Sequence, residues 1–260
     1  MSLIRPGGLL AGALAAVAFL AGCSGASGTR GASSGPTSGA NPTATTPVAT
    51  TPAENGIADL SAKQILAKAK DALSQASSVR IQGGGFSEGE QFALDMRYGR
   101  DGAVGSLTSN GQTIELLRIG STVYLKGSAA FWRSIGGNPA AELLKGRYLK
   151  MPANTREFAE VASFTDLKKS ATELLAPDGE ISKGDRTTIR GMAAIGLKDP
   201  TNGGGTLYIA LRGEPYPLRV APDKGKTDDV GSMDFLDYGV PVTLMQPPAD
   251  QVVDVSNLGR

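Results

Sequence analysis

The fold is decided by residues 91–98, which read Gln-Phe-Ala-Leu-Asp-Met-Arg-Tyr. Large apolar side chains occupy every second position of this stretch, and these are Phe92, Leu94, Met96 and Tyr98. Successive side chains of a β-strand point to opposite faces of the sheet, so a period of two is typical of a strand with one buried face. The stretch therefore predicts a half-buried strand whose apolar face lies on a core.

Turn signals follow this strand at short intervals, at Gly99–Gly102, at Asn110 and Gly111, and at Gly120-Ser121. Asn-Gly favours a tight hairpin because both residues tolerate positive φ. Further strands are predicted at 103–109, 113–119, 122–126, 186–197, 205–211, 217–221, 231–238 and 240–245. The short strands and turns in this order predict an antiparallel meander.

Helices are predicted before and between the strands. Ser61 and Gln64 have capping-box spacing at the start of an apolar stripe over 62–76. Asn138-Pro139 opens a short helix that runs to Leu144, and the apolar spacing over 155–176 predicts two helices with a break near Ser163. Antiparallel strands with helices gathered on one face make an α+β fold.

The N-terminus has the layout of a secretory signal over residues 1–22, with a basic start at Arg5 and an apolar stretch over 9–20. It ends in Leu20-Ala21-Gly22-Cys23, which resembles the bacterial lipobox. The resemblance implies a diacylglyceryl cysteine with palmitate at Cys23, and a protein held by this lipid anchor on the extracytoplasmic face of the cell membrane. A retained membrane-spanning anchor is the weaker alternative, because the apolar stretch is short for a span of about 20 residues.

Residues 23–56 follow as a tether that is rich in Ser, Thr, Gly, Ala and Pro. Such a composition cannot bury enough apolar surface to offset the entropy of ordering. Residues 57–260 are left for one folded domain, a length that suits a single core.

Composition argues against several classes of function. Lys and Arg number 26 against 25 for Asp and Glu, so no concentrated positive surface for a nucleic acid is expected. Histidine is absent from the sequence, which removes the commonest general base and metal ligand. We therefore expect no enzyme, no cofactor and no metal. A hydrolase of the envelope remains a third alternative, which would need a Ser and Lys dyad in a cleft.

Motifs that suggest chemistry are incomplete. Gly225-Lys226-Thr227 copies the end of a phosphate-binding loop without its opening glycine, and Gly83–Gly85 and Gly203–Gly205 lack the context of a dinucleotide fingerprint. These segments predict turns or bulges. The densest carboxylates match no calcium-loop spacing and predict a solvated loop, and they are Asp228, Asp229, Asp234 and Asp237.

Several segments together resemble actinobacterial lipoproteins. They are Arg118-Ile119-Gly120-Ser121-Thr122-Val123-Tyr124-Leu125-Lys126-Gly127, Phe131-Trp132, Tyr148-Leu149-Lys150-Met151-Pro152, Gly213-Glu214-Pro215-Tyr216-Pro217-Leu218-Arg219-Val220, Asp237-Tyr238-Gly239-Val240-Pro241-Val242-Thr243 and Pro247-Pro248-Ala249-Asp250. The sequence is similar to the mycobacterial LppX/LprG-type (LppX/LprAFG) lipoproteins, whose fold is similar to that of the lipoprotein carrier LolA. The resemblance implies a strongly curved antiparallel sheet, a half-barrel, wrapped over helices. It also implies an apolar cavity between the two layers that accepts acyl chains of lipids or glycolipids.

Residues on the apolar faces of the predicted elements would line such a cavity. From the sheet they are Phe92, Leu94, Met96, Ile114, Leu116, Leu207, Ile209, Met233 and Phe235, and from the helices Phe158, Val161, Phe164 and Leu167. The same side chains equally make a closed core, because alternation fixes which face a residue occupies but not whether space is left there. Two functions stay open. One is a carrier of lipid or glycolipid acyl chains, and the other is a tethered interaction protein with a closed core, for which hairpin edges and a loop at Phe131-Trp132 are the candidate contacts.

Overall fold

Residues 53–87, 90–177, 179–200, 205–222 and 231–255 are described in the computed structural model of the chain. All of them belong to one compact unit. The predicted signal, Cys23 and nearly all of the predicted tether lie outside these ranges, as do Gly225-Lys226-Thr227, Asp228 and Asp229. What the sequence predicts of those residues stays a prediction.

One sheet of twelve strands dominates the described residues. In chain order the strands are β1 (Ser78–Ser87), β2 (Glu90–Gly99), β3 (Gly102–Ser109), β4 (Gln112–Ile119), β5 (Thr122–Gly127), β6 (Tyr148–Pro152), β7 (Ser182–Ile189), β8 (Met192–Asp199), β9 (Gly205–Ala210), β10 (Pro217–Pro222), β11 (Gly231–Leu236) and β12 (Val252–Asp254). Across the sheet their order is β12-β6-β5-β4-β3-β2-β1-β11-β10-β9-β8-β7. Only β12 and β6 pair in parallel, so the predicted antiparallel sheet is confirmed among these residues.

The sheet consists of two meanders joined through β1, which pairs with β2 on one side and with β11 on the other. The sequence did not predict β1, because Gly83–Gly85 reads as a turn. In the structure these glycines lie inside the strand, where neighbouring backbone comes close. A Cβ on Gly83 would lie 2.0 Å from the carbonyl oxygen of Ser232, so only glycine fits.

The single strand predicted over 186–197 is wrong, because the chain folds there into the hairpin of β7 and β8. Its turn is formed by Arg190 and Gly191, whose φ angles are 48° and 79°. Two consecutive residues with positive φ make the tight turn whose twist suits a hairpin. Arginine is not a residue that signals a turn with positive φ. The sequence pattern therefore predicts one continuous strand across Arg190.

The strand predicted over 240–245 is also wrong. This segment is irregular and crosses the end of the hairpin of β2 and β3. Val242 and Leu244 point inward, towards Gly99 and Gly102, while Val240 and Met245 are exposed. The alternation that suggests a strand is real, but the segment packs with its side chains on strand ends and does not join the sheet.

Four α-helices accompany the sheet in the described residues, and they are α1 (Ala62–Gln75), α2 (Ala129–Leu143), α3 (Ala159–Ser163) and α4 (Leu167–Leu174). Short 3-10 turns occupy Ile57–Asp59, Arg156–Phe158 and Ala249–Gln251. The predicted capping box is present, since Ser61 Oγ accepts from the Gln64 amide at 3.4 Å and Gln64 Oε1 accepts from the Ser61 amide at 3.0 Å. Within the described ranges, no helix has the length and apolarity that crossing a membrane requires.

Helix α2 begins earlier than predicted, at Ala129 instead of near Asn138. Ser128 caps it, because its Oγ accepts a hydrogen bond of 3.1 Å from the amide of Phe131. The helix is broken at Gly136 and Gly137, whose φ angles are −133° and 69°. This break interrupts the helical periodicity and hides the first half of α2 from the sequence.

The core lies between one face of the sheet and the helices. Helix α1 contributes Ile65, Leu66, Ala69 and Leu73 to it, which confirms most of the predicted apolar stripe. A small second cluster around Ile189 and Leu218 lies apart from this core, among β7 to β10. The α+β fold is thus a large, mostly antiparallel sheet with a few helices packed on it.

Candidate ligand-binding face

The predicted cavity residues all lie in the described part of the chain, and all but Ile114 belong to the core cluster or pack against it. Ile114 is buried outside that cluster. The structure divides them into two groups by exposure. One group comes from the strands and is sealed, and the other is half-buried.

Seven of the strand residues form the sealed group, which we call the deep layer, and they are Leu94, Met96, Leu116, Leu207, Ile209, Met233 and Phe235. Each of them is at most 2% exposed. A void large enough for a water molecule would leave these side chains with accessible surface, so the space against them is filled by neighbouring atoms.

Two methionines complete the filling of the deep layer. Met96 lies opposite Gly105 on β3, and Met233 lies opposite Gly83 on β1. A Cβ on either glycine would come within 2.7 Å of the methionine sulfur. Each sulfur therefore occupies the volume that a side chain on the facing strand would take.

The half-buried group comes mostly from the helical segments after β6. Phe158, Val161, Phe164 and Leu167 keep exposed surface while they pack against the core, and we call these four the helix wall. Phe92 on β2 has the same partial exposure. Among the predicted cavity residues, these five keep part of their apolar surface exposed.

Aromatic rings from α2 continue the helix wall. The ring of Trp132 meets Phe131 edge-on with 4.9 Å between centroids and Phe158 with 6.5 Å. Trp132 is only 1% exposed. The prediction that Phe131-Trp132 forms a surface contact loop is therefore wrong, because α2 turns the indole into the core.

The helix wall is fixed to the sheet at the break between α3 and α4. Tyr98, at the end of β2, donates a hydrogen bond of 2.8 Å to the carbonyl of Phe164, and its oxygen lies 3.3 Å from Ser170 Oγ. Burial raises the pKa of the Tyr98 phenol, so it remains a neutral donor across the physiological range. The contact holds Phe164 in place at the break between α3 and α4. Phe158 and Val161 precede this break in the chain.

A second tie is polar and lies nearer the surface. The Asp166 carboxylate caps α4 by accepting hydrogen bonds from the amides of Lys168 and Lys169 at 3.1 and 3.2 Å. The same carboxylate accepts from Arg118 at 3.4 Å, which joins α4 to the end of β4. Helix α4 is thus held by two independent contacts with the sheet.

The chemistry that this face offers is apolar contact. The helix wall, Phe92 and Phe131 are hydrocarbon surfaces, and the described residues contain no group of carboxylate or thiol side chains suited to a metal ion.

An open surface pocket of about 310 Å³ lies away from the predicted residues. It is lined by Asn55, Gly56, Ile57, Leu60, Lys68 and Pro215. None of these residues belongs to the helix wall or the deep layer, so this pocket is separate from the candidate face.

No protein-family model and no curated protein sequence matches the chain. Its structure is similar to two mycobacterial lipoproteins. LprF from Mycobacterium bovis is 17% identical with a TM-score of 0.49, over 72% of this chain and 96% of LprF. LppX from Mycobacterium tuberculosis is 16% identical with a TM-score of 0.44, over 70% of this chain and 99% of LppX.

Both proteins belong to the group of lipoproteins that the sequence resembles. Identities below 20% and TM-scores below 0.5 carry no argument about ligand or activity. What the chain binds has to follow from its own residues.

The sequence missed two features of this face. The sequence contained a signal for the hydrogen bond from Tyr98 to Phe164, since an inward tyrosine on a strand needs a partner for its hydroxyl. It contained no signal for the burial of Trp132, because that burial depends on the first half of α2, which the sequence did not predict.

Proposed function

We propose that the protein is a non-enzymatic lipoprotein of the cell envelope that binds an acyl chain of a lipid or glycolipid between the sheet and the helix wall. Its anchor would be the diacylglyceryl group with palmitate on Cys23, on the extracytoplasmic face of the cell membrane. The predicted tether over 23–56 would give the domain reach above the bilayer.

The contrast in exposure between the two groups carries this proposal. The deep layer is sealed, whereas the helix wall and Phe92 pack on the core with one part of their apolar surface and leave the other part exposed. Each methylene that covers such surface contributes about 0.8 kcal/mol, so an acyl chain laid along the wall gains free energy with every carbon. No charged group is needed for this binding.

Two methionine side chains of the deep layer can change conformation to admit a ligand. Met96 and Met233 are unbranched and sit over glycines, so other rotamers of these side chains would open volume beneath the wall. A ligand that enters more deeply would displace two flexible side chains and leave the sheet backbone in place. The described form is then the closed form of the site.

A blocking variant tests the proposal. Val161→Trp adds a large ring to the helix wall, and Ile135→Trp adds the same ring at an exposed position on α2 that is 52% accessible. The assay measures binding of a phospholipid with one fluorescent acyl chain to the full chain carrying Cys23→Ser, in detergent. Overpacking costs about 1–3 kcal/mol, so Val161→Trp should weaken binding by about tenfold and Ile135→Trp should leave it unchanged.

Two results would contradict acyl-chain binding at this face. The unaltered chain would fail to bind the labelled phospholipid, or Val161→Trp would bind it as well as Ile135→Trp does.

The second candidate is a tethered interaction protein with a closed core, and the sealed deep layer favours it. Its contact surface would be on α2, where Ile135 and Leu143 are 52% and 42% exposed. A photocrosslinker at Ile135 in intact cells tests this function. One recurring envelope protein would support it, and only random neighbours would rule it out.

A further inference from the structure

Trp132 holds a polar group that the described residues leave unused. It is the only tryptophan of the chain, and its side chain is buried in the core. Among the described residues, none accepts a hydrogen bond from its indole Nε1–H. The main chain of Trp132 is satisfied, since its amide donates to the carbonyl of Ser128 at 3.0 Å.

An unpaired buried donor is costly. Leaving such a group without a partner costs about 1–3 kcal/mol, and native proteins contain few examples. A phenylalanine at this position would provide an aromatic ring without that cost. The indole N–H is therefore a donor for which the described part of the chain supplies no accepting oxygen.

The surroundings of the indole limit what that oxygen can be. Phe131 and Phe158 flank the ring and carry no charge. A phosphate or carboxylate would lose its hydration there with only one donor in return, which is strongly unfavourable. A neutral carbonyl loses much less hydration free energy than a charged group, and one donor satisfies it. It therefore fits the position.

The two rings that contact the indole are partly exposed. Phe131 and Phe158 are each half-buried, whereas Trp132 is buried. Phe131 packs directly over the backbone of Gly127, where a Cβ would come within 2.3 Å of its ring. The break at Gly136 and Gly137 separates this first half of α2 from the second.

We propose that Trp132 Nε1–H donates a hydrogen bond to an ester carbonyl of the bound lipid, so that the site selects ester-linked acyl chains over ether-linked alkyl chains. This inference rests on the proposed function. The ester lies where an acyl chain joins its headgroup, so the chain would run from Trp132 along the helix wall with the headgroup directed to solvent.

A competition between two matched lipids tests the selectivity. The full chain carrying Cys23→Ser is incubated in detergent with equal amounts of dioleoyl phosphatidylglycerol and its dioleyl ether analogue, which differ only in the two carbonyls. Native mass spectrometry then gives the ratio of bound diester to bound diether. A hydrogen bond of about 1 kcal/mol predicts a ratio of about five in the unaltered chain.

Trp132→Phe is the matched variant, because it keeps an aromatic ring and removes the donor. The ratio should fall to about one through weaker binding of the diester, with binding of the diether unchanged. A ratio of one in the unaltered chain overturns the inference, and so does an equal ratio in both chains. If Trp132→Phe does not fold, the ratio in the unaltered chain decides alone.

The experiment separates this inference from the function on which it rests. Binding of both lipids without preference keeps the acyl-chain site and removes the role of Trp132. Binding of neither lipid overturns the proposed function itself. The emission maximum of the single tryptophan gives a second readout, since a new hydrogen bond to Nε1–H should shift it to longer wavelength with the diester only.

Discussion

The hydroxyl of Tyr98 donates a hydrogen bond of 2.8 Å to the backbone carbonyl of Phe164 and so joins the end of β2 to the break between α3 and α4. Tyr98 is 1% exposed, and Ser170 Oγ lies 3.3 Å from the same hydroxyl. The bond crosses the core from the sheet to the helix wall. It fixes the position of the wall relative to the deep layer.

Loss of this bond should be measurable as lost stability. Tyr98→Phe leaves the partly buried carbonyl of Phe164 without its donor, which should lower the free energy of unfolding by about 1–3 kcal/mol in urea denaturation. The matched control is Tyr148→Phe, whose hydroxyl bonds Glu115 at 3.0 Å in an exposed contact. That variant should change the free energy by less than about 0.5 kcal/mol. Equal effects would show that Tyr98 has no special role.

Acid should destabilise the protein through Asp95. Arg80 donates two hydrogen bonds to this carboxylate, at 2.7 and 2.6 Å, and they lower the pKa of Asp95. A carboxyl whose pKa is lower in the folded state stabilises the fold above its unfolded pKa, near 4. That contribution is lost as the pH falls through the lower, folded pKa.

The measurement is urea denaturation between about pH 6 and pH 2.5. In Asp95→Asn the loss of stability below about pH 4 should be smaller than in the parent, because the side chain no longer takes up a proton. Asp71→Asn, at an exposed position on α1, is the control, and at pH 6 its free energy of unfolding should stay within about 0.5 kcal/mol of the parent. An Asp95→Asn curve that stays parallel to the parent would disprove this assignment.

The close approach of strands at Gly105 should tolerate no side chain. A Cβ there would lie 2.0 Å from the carbonyl oxygen of Asp95 and 2.7 Å from the Met96 sulfur. Because the nearest atom belongs to the backbone, Gly105→Ala should destabilise the fold by about 2 kcal/mol or more. Gly205→Ala, on β9, meets its nearest atom at 3.5 Å and should stay within about 0.5 kcal/mol of the parent. Similar thermal stability of the two variants would contradict the packing described.

The irregular segment over 240–245 should be held by its inward side chains alone. Leu244 is half-buried, and a Cβ on Gly102 would lie 3.1 Å from it, whereas its neighbour Met245 is 77% exposed. Leu244→Ala should cost about 1–2 kcal/mol in urea denaturation, and Met245→Ala less than about 0.5 kcal/mol. A larger loss of stability in Met245→Ala than in Leu244→Ala would contradict the inward orientation of Leu244.

Elements with a clear period and standard turns could be predicted from the sequence. The alternation from Phe92 to Tyr98 correctly predicts β2, and the turns at Gly99–Gly102 and Asn110-Gly111 place β3 and β4. The capping box at Ser61 places α1. In each case one local signal decides the structure.

The elements that were missed depend on contacts distant in sequence. Gly83–Gly85 becomes part of a strand because β11 and β2 approach it from both sides. Arg190 adopts a positive φ while its guanidinium bonds Asp234 and the carbonyls of Leu218 and Phe235. No local sequence pattern indicates such contacts. The sequence therefore predicts a turn or bulge at Gly83–Gly85 and an uninterrupted strand at Arg190.

For the candidate site, the sequence predicted only which face of each element the residues occupy. The residues selected by alternation and helical spacing lie in or against one core, apart from Ile114. These patterns could not separate the sealed deep layer from the half-buried helix wall, because exposure depends on what the opposite layer covers. That division, and the orientation of Trp132, needed the packed structure.

The most direct test compares two masses of the protein purified from its own membrane in a mild detergent. Native mass spectrometry weighs the folded chain, and a denaturing spectrum weighs the same sample unfolded. A covalent anchor on Cys23 contributes to both masses, whereas a lipid held by the helix wall contributes only to the first. Acyl-chain binding predicts a difference of about one lipid per chain, and equal masses together with failure to load added phospholipid would contradict it.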